Sequence, residues 1–221
     1  MTSATPLDDL EKASRRLFWL LLLPVGLTVR GLVHGLDSVA MLSDLPFTQS
    51  LASLPADWQQ ILVNDGRLRL AQISATFIFL TYFCFGWLPV ALGNLSLMQG
   101  DAPDHRSLRA MVARNLLTAT RVLRKLFSDS AHPDHAHLTL RFSVPACTTA
   151  LIAANVCKIM AVVLMTRAVS VGDWIGAERW MLAGYGSYLV LFSLALRVTG
   201  RLEFLQRNAW ARAPRTQPSP S

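Results

Sequence analysis

Charge is scarce in this sequence. Only 16% of its 221 residues are Asp, Glu, Lys or Arg, while 52% are hydrophobic. An ordinary soluble domain carries about 25% charged residues, so water is a poor candidate for the solvent around much of this chain. Cysteine is rarer still. Cys84, Cys147 and Cys157 all lie inside apolar blocks, where thiols act as small hydrophobes, and this excludes an exposed redox pair or an extracytoplasmic disulfide framework. The usual equipment of catalysis is also missing. There is no nucleophilic Ser or Cys with a positioned His, no phosphate-cradling glycine loop and no carboxylate pair within an apolar block. Loop cysteines for quinone-linked chemistry and facing histidines for haem are lacking too. The expectation is therefore a non-enzyme without a cofactor.

What the chain has instead is apolar length. A hydrocarbon core about 30 Å thick takes roughly 20 residues of helix to cross. Four stretches reach that length: about 17–36, 70–93, 143–165 and 180–199. The first is the least continuous, because Arg30 and His34 interrupt its outer half. The fold class expected is an all-α integral membrane protein with four transmembrane helices and a cytoplasmic amphipathic helix between the second and third. In this reading 1–16 is a cytoplasmic tail, 17–200 a single four-helix membrane domain with a loop over 94–142, and 201–221 a flexible basic tail.

Orientation follows from Lys and Arg, which are retained on the cytoplasmic side. Fifteen flank the ends and central loop: Lys12, Arg15 and Arg16, seven from Arg106 to Arg141, and five from Arg197 to Arg215. The two remaining loops hold four, namely Arg67, Arg69, Arg167 and Arg179. Both termini are thus expected in the cytoplasm, in a bacterial-type inner membrane. Trp19 and Trp87 at one boundary, with Trp58, Trp174 and Trp180 at the other, read as an interfacial belt. The Arg15-Arg16 pair before the first span reads as an anchor signal rather than a twin-arginine export peptide.

Between the first two spans, Leu54, Trp58, Ile61 and Leu62 recur at helical spacing, with Asn64-Asp65-Gly66 as a stop, so a short interfacial helix is expected there. From Arg106 to Ser128 a basic amphipathic helix is expected. Leu108, Met111, Val112, Leu116, Ala119, Leu123 and Leu126 share one face; Arg106, Arg114, Arg121, Arg124 and Lys125 share the other. Such a helix suits an anionic leaflet or, alternatively, an acidic partner. No aromatic residues interleave with these arginines to stack on bases, so nucleic acid is not an expected ligand.

Three clusters carry candidate chemistry. Lys158 is ionisable within a span, and Arg30, His34 and Asp37 lie at a comparable depth; together they are expected to form a polar intramembrane pocket, in a transporter or channel subunit. Ala146, Ala150 and Ala154 form a small-residue stripe leading to Lys158, and Ala183, Gly184 and Ser187 form another, both suited to helix packing within the monomer or against other subunits. His105, His132, Asp134, His135 and His137 have the chemistry of metal ligands in a membrane enzyme, although a solvated polar loop accounts for them more simply. By elimination, the leading functional expectation is a non-catalytic subunit or assembly factor of a secretion, conjugation or transport complex. Its expected partners are the lipid bilayer and other membrane subunits or further copies of itself.

Overall fold

The structure is a computed structural model and describes residues 6–98, 119–130 and 143–212. Among these residues the chain is almost wholly helical. Helix α1 spans Pro6–Ser43, a 3-10 turn Leu51–Ser53, and α2 Ala56–Tyr82. A π-helical segment, Phe83–Trp87, joins α2 to α3, Leu88–Met98. Then come α4, Ala119–Ser130, α5, Ser143–Arg167, and α6, Val171–Arg212.

Four helical stretches are long and apolar enough to cross a membrane: Leu7–Ser43, Ala56–Met98, Val144–Arg167 and Val171–Ala211. Their outward faces are apolar, with Leu22, Leu23, Val29, Val33 and Leu36 exposed on α1, Leu70, Ile73, Phe77 and Ile78 on α2, and Ile152, Val156, Ile159 and Val162 on α5. Apolar surface on this scale marks contact with something other than water, and lipid fits it. The chain is accordingly built to be embedded in a membrane. At 1.5 Å per residue, the 38 residues of α1 extend about 57 Å, well beyond a hydrocarbon core of about 30 Å.

The helices divide into two compact units. The first comprises Met1–Phe18, Leu80–Pro145 and Leu196–Ser221; the second comprises Trp19–Phe79 and Ala146–Ala195.

In the first unit, the described parts of the two expected tails are helical. Residues 6–16 belong to α1, with Leu10 and Ala13 buried, and α6 runs through 201–212 with Leu202, Leu205 and Gln206 buried. Each stretch carries apolar residues at helical spacing among its charges, so each has a face to bury. Trp87 is fully buried, stacks on Phe83 at 5.3 Å and donates from Nε1 to Ser14 Oγ at 3.0 Å. Proline at 89 has no N–H to return to the preceding turn, and just upstream the ladder widens so that Leu88 N–H bonds to Phe83 O. Gln206 Nε2 donates to Ala91 O at 2.8 Å. Helix α4 packs on α3 and buries Leu123, Leu126 and Phe127. In its described part, the apolar face expected on the inner leaflet is therefore covered by protein.

In the second unit, the segment between α1 and α2 is tied to the turn between α5 and α6. Ser50 and Ser170 form an isolated bridge, Leu51 N–H donates to Val169 O at 3.1 Å, and Val171 N–H donates to Gln49 O at 2.9 Å. Ser170 caps α6 by a reciprocal box: Asp173 N–H donates to Ser170 Oγ at 3.2 Å, and Asp173 Oδ2 accepts from Ser170 N–H at 3.1 Å. Beneath lies an apolar cluster of Leu42, Leu54, Val171 and Ile175, with Trp58 and Trp174 packed against it.

Two expectations are corrected here. Asn64-Asp65-Gly66 does not stop a helix, because α2 passes through it unbroken. A mid-helix glycine costs only about 1 kcal/mol, and Gln60 Nε2 bonds to Asn64 Oδ1 one turn later at 3.3 Å, so the local signal loses to propagation. The short interfacial helix is instead the first part of α2. The tryptophan belt also shrinks: Trp87 is buried and Trp58 and Trp174 are packed on protein, leaving Trp19 and Trp180 exposed.

Candidate functional site

The second unit holds a polar core built from all four of its long helices. Thr28 comes from α1, Arg69, Gln72 and Thr76 from α2, Lys158 from α5, and Glu178, Tyr185 and Tyr188 from α6; all are buried. Gln72 is the hub. Its Nε2 donates to Thr28 Oγ1 at 2.9 Å and to Thr76 Oγ1 at 3.3 Å, and its Oε1 accepts from Lys158 Nζ. One amide thereby fastens three helices, using the donor and acceptor ends as its chemistry allows.

Lys158 Nζ also lies over two aromatic faces, 4.5 Å from the Tyr188 ring centroid and 5.3 Å from that of Tyr185. A desolvated ammonium over such rings is stabilised by their quadrupole. Tyr188 Oη donates onward to Asn155 Oδ1 at 3.2 Å, returning the network to α5. Beside it, Arg69 Nη2 meets Glu178 Oε2 at 2.5 Å, while Nη1 reaches Met165 Sδ and the guanidinium lies 5.8 Å from the Trp174 ring centroid. By sequence Arg69 reads as a loop charge; in the structure it is a buried helical residue paired with Glu178, 109 positions on.

Close helix approach makes this core possible. A Cβ on Gly31 would fall 2.7 Å from Tyr185 Cζ, and one on Gly35 would fall 2.7 Å from Glu178 Oε1. Only glycine at these two positions, four apart on α1, lets α6 come so near. Of the two small-residue stripes, Gly184 approaches Ala154: Ala150 and Ala154 are buried, and a Cβ on Gly184 would stand 3.4 Å from Ala154 O and 3.2 Å from Lys158 Cγ. Ala146 and Ser187 are half-buried, and Ala183 is exposed.

The expected four-residue pocket is divided. Arg30, His34 and Asp37 do line one open groove of about 510 Å³, joined by Val33, Asn64 and Leu68. Lys158 does not line it, and its ammonium is bonded to Gln72 rather than to Asp37. Of the basic face, Arg124 is exposed on α4, whereas Arg106 and Arg114 lie outside the described residues, as do His105, His132, Asp134, His135 and His137. Arg121 and Lys125 belong to the backbone of α4. Among the described residues no group of three or more His, Cys, Asp or Glu is placed to hold a metal ion.

Sequence reasoning missed Gln72, Glu178, Tyr185 and the glycine pair. Gly31-Leu32-Val33-His34-Gly35 carries a readable signal, a small-xxx-small motif inside an apolar stretch. Gln72 and Glu178 carry none beyond polarity at the ends of apolar runs. Compared with protein-family models, curated proteins and solved structures, the chain matches none of them.

Proposed function

We propose that the protein is a multi-pass inner-membrane protein with both termini in the cytoplasm, acting as a non-catalytic subunit or assembly factor of a larger membrane complex. The positive-inside bias supports the orientation. With Arg69 paired to Glu178 in the core, Arg67, Arg167 and Arg179 remain on the sparse side against fifteen basic residues on the other.

One observation carries the subunit reading: α6 keeps an uncovered small-residue surface. Ala183 is exposed, and a Cβ added at Gly176 or Gly186 would meet nothing within 4 Å. Gly184 is already used inside the monomer, so the outward set is available for a second helix. The polar core fits the same role, since Gln72 and Lys158 brace helices against each other. Native extraction in mild detergent followed by mass spectrometry tests the reading. Stoichiometric partners, lost in an Ala183→Leu variant that folds normally, are expected; recovery of a lone monomer would overturn it.

A second reading, a small transporter or channel subunit, is favoured by Lys158 itself. Its contacts are an amide and two aromatic rings rather than a carboxylate, and an intramembrane ammonium so held suits an anion or a coupled proton. Transport that survives Lys158→Ala would remove this reading.

A further inference from the structure

The groove between α1 and α2 in the second unit is not used by either reading above. Arg30, Val33, His34 and Asp37 follow one another down α1, and Asn64 and Leu68 face them from α2. The two helices run in opposite senses, because Thr28 meets Gln72 while Arg30–Asp37 share the groove with Asn64–Leu68. Leu68 therefore lies toward the Arg30 end and Asn64 toward the Asp37 end. Val29, Val33 and Leu36 beside the groove are exposed apolar residues, so it opens where the lipid-facing surface of α1 gives way to charge.

This order of chemistry has a counterpart. Among the described residues neither Arg30 nor Asp37 forms an ion pair, so the groove presents a cation and an anion separately. An arginine flanked by imidazole suits a phosphate diester. Three residues of helix, a rise of about 4.5 Å, separate His34 from Asp37, which matches a short two-carbon linker between a phosphate and an ammonium. Val33 and Leu68 offer apolar walls for the first part of an acyl chain. The geometry points to a specific site for one phospholipid with a primary-amine headgroup. Its phosphate is held by Arg30 and His34, its ammonium by Asp37, and its glycerol end lies against Val33 and Leu68. The site does not depend on whether the protein has partner subunits.

The test uses the full chain, purified in mild detergent and reconstituted into nanodiscs of phosphatidylethanolamine, phosphatidylcholine or phosphatidylglycerol, with retained lipid counted by native mass spectrometry. One retained phosphatidylethanolamine is expected, favoured about tenfold over phosphatidylcholine, which cannot donate a hydrogen bond to Asp37. Asp37→Asn should erase that preference while keeping phosphate-dependent retention, and Arg30→Gln should lower retention of every lipid. Both positions are exposed, so neither change disturbs the core. Equal retention of the three lipids, or a preference that survives Asp37→Asn, would overturn the assignment. So would displacement of the lipid by inorganic phosphate alone, which would mark a free-anion site.

Discussion

In the unit that contains Lys158, charge is inside. An arginine, a glutamate, a lysine and a glutamine meet among four helices whose exposed residues include many large apolar ones. In the other unit the order is reversed. Its described core includes Leu10, Leu88, Leu126, Leu202 and Trp87, and its described ion pairs, among them Arg207 with Glu11 at 2.9 Å and with Glu203 at 2.8 Å, reach the surface. The contrast follows from the solvent each requires. A surface ion pair in water contributes little, whereas a charge among apolar spans must be paired or it expels the helix that carries it. The two units therefore differ in what a single substitution can break.

The largest effect is expected from separating the buried pair. Glu178→Ala leaves the Arg69 guanidinium without its carboxylate and should destabilise the protein by about 3–5 kcal/mol, read as a lowered thermal midpoint in detergent. Adding Arg69→Met should recover most of that loss; if the double variant is as unstable as the single one, the pair is not the cause. Next comes Gly31→Leu, which drives a side chain into the Tyr185 ring and should cost roughly 1–3 kcal/mol or more by overpacking. A smaller, sign-dependent pair sharpens the contrast. Gln72→Leu strands Lys158 and should destabilise, while adding Lys158→Met should bring the double variant back close to the wild type, measured by the same unfolding assay. The smallest effect belongs to the other unit: Arg207→Ala removes only exposed pairs and should shift stability by less than about 1 kcal/mol, diminishing further at high salt.

The four apolar helices were legible because they depend on a property that adds along the chain, and hydropathy over twenty residues outweighs any single polar interruption. The Ala150–Ala154 stripe was legible for a related reason, since helical spacing alone puts small residues on one face. Arg69 shows where such reasoning stops. Its neighbours Arg67 and Gly66 look like loop, and nothing local announces Glu178, which lies 109 positions on. Asn64-Asp65-Gly66 misled in the same way, because a stop signal is a modest free energy that a long packed helix overrides. The divided pocket has a different origin. Depth in the membrane could be estimated for Arg30, His34, Asp37 and Lys158, but the azimuth of each helix is set by its packing against the others, and Gln72 claimed the lysine.

The separation of Arg69 from Glu178 also sets a clock on biosynthesis. A ribosome adding 5–20 residues per second takes roughly 5–20 s to travel from one to the other. For that interval α2 exists with its arginine and without the acid that neutralises it, and Lys158 is made before Glu178 as well. The first helical pair reaches its final set of polar contacts only when the last helix arrives. A chain cut short before Glu178 is therefore expected to be held less firmly in lipid than the complete one, read as easier extraction of the truncated form.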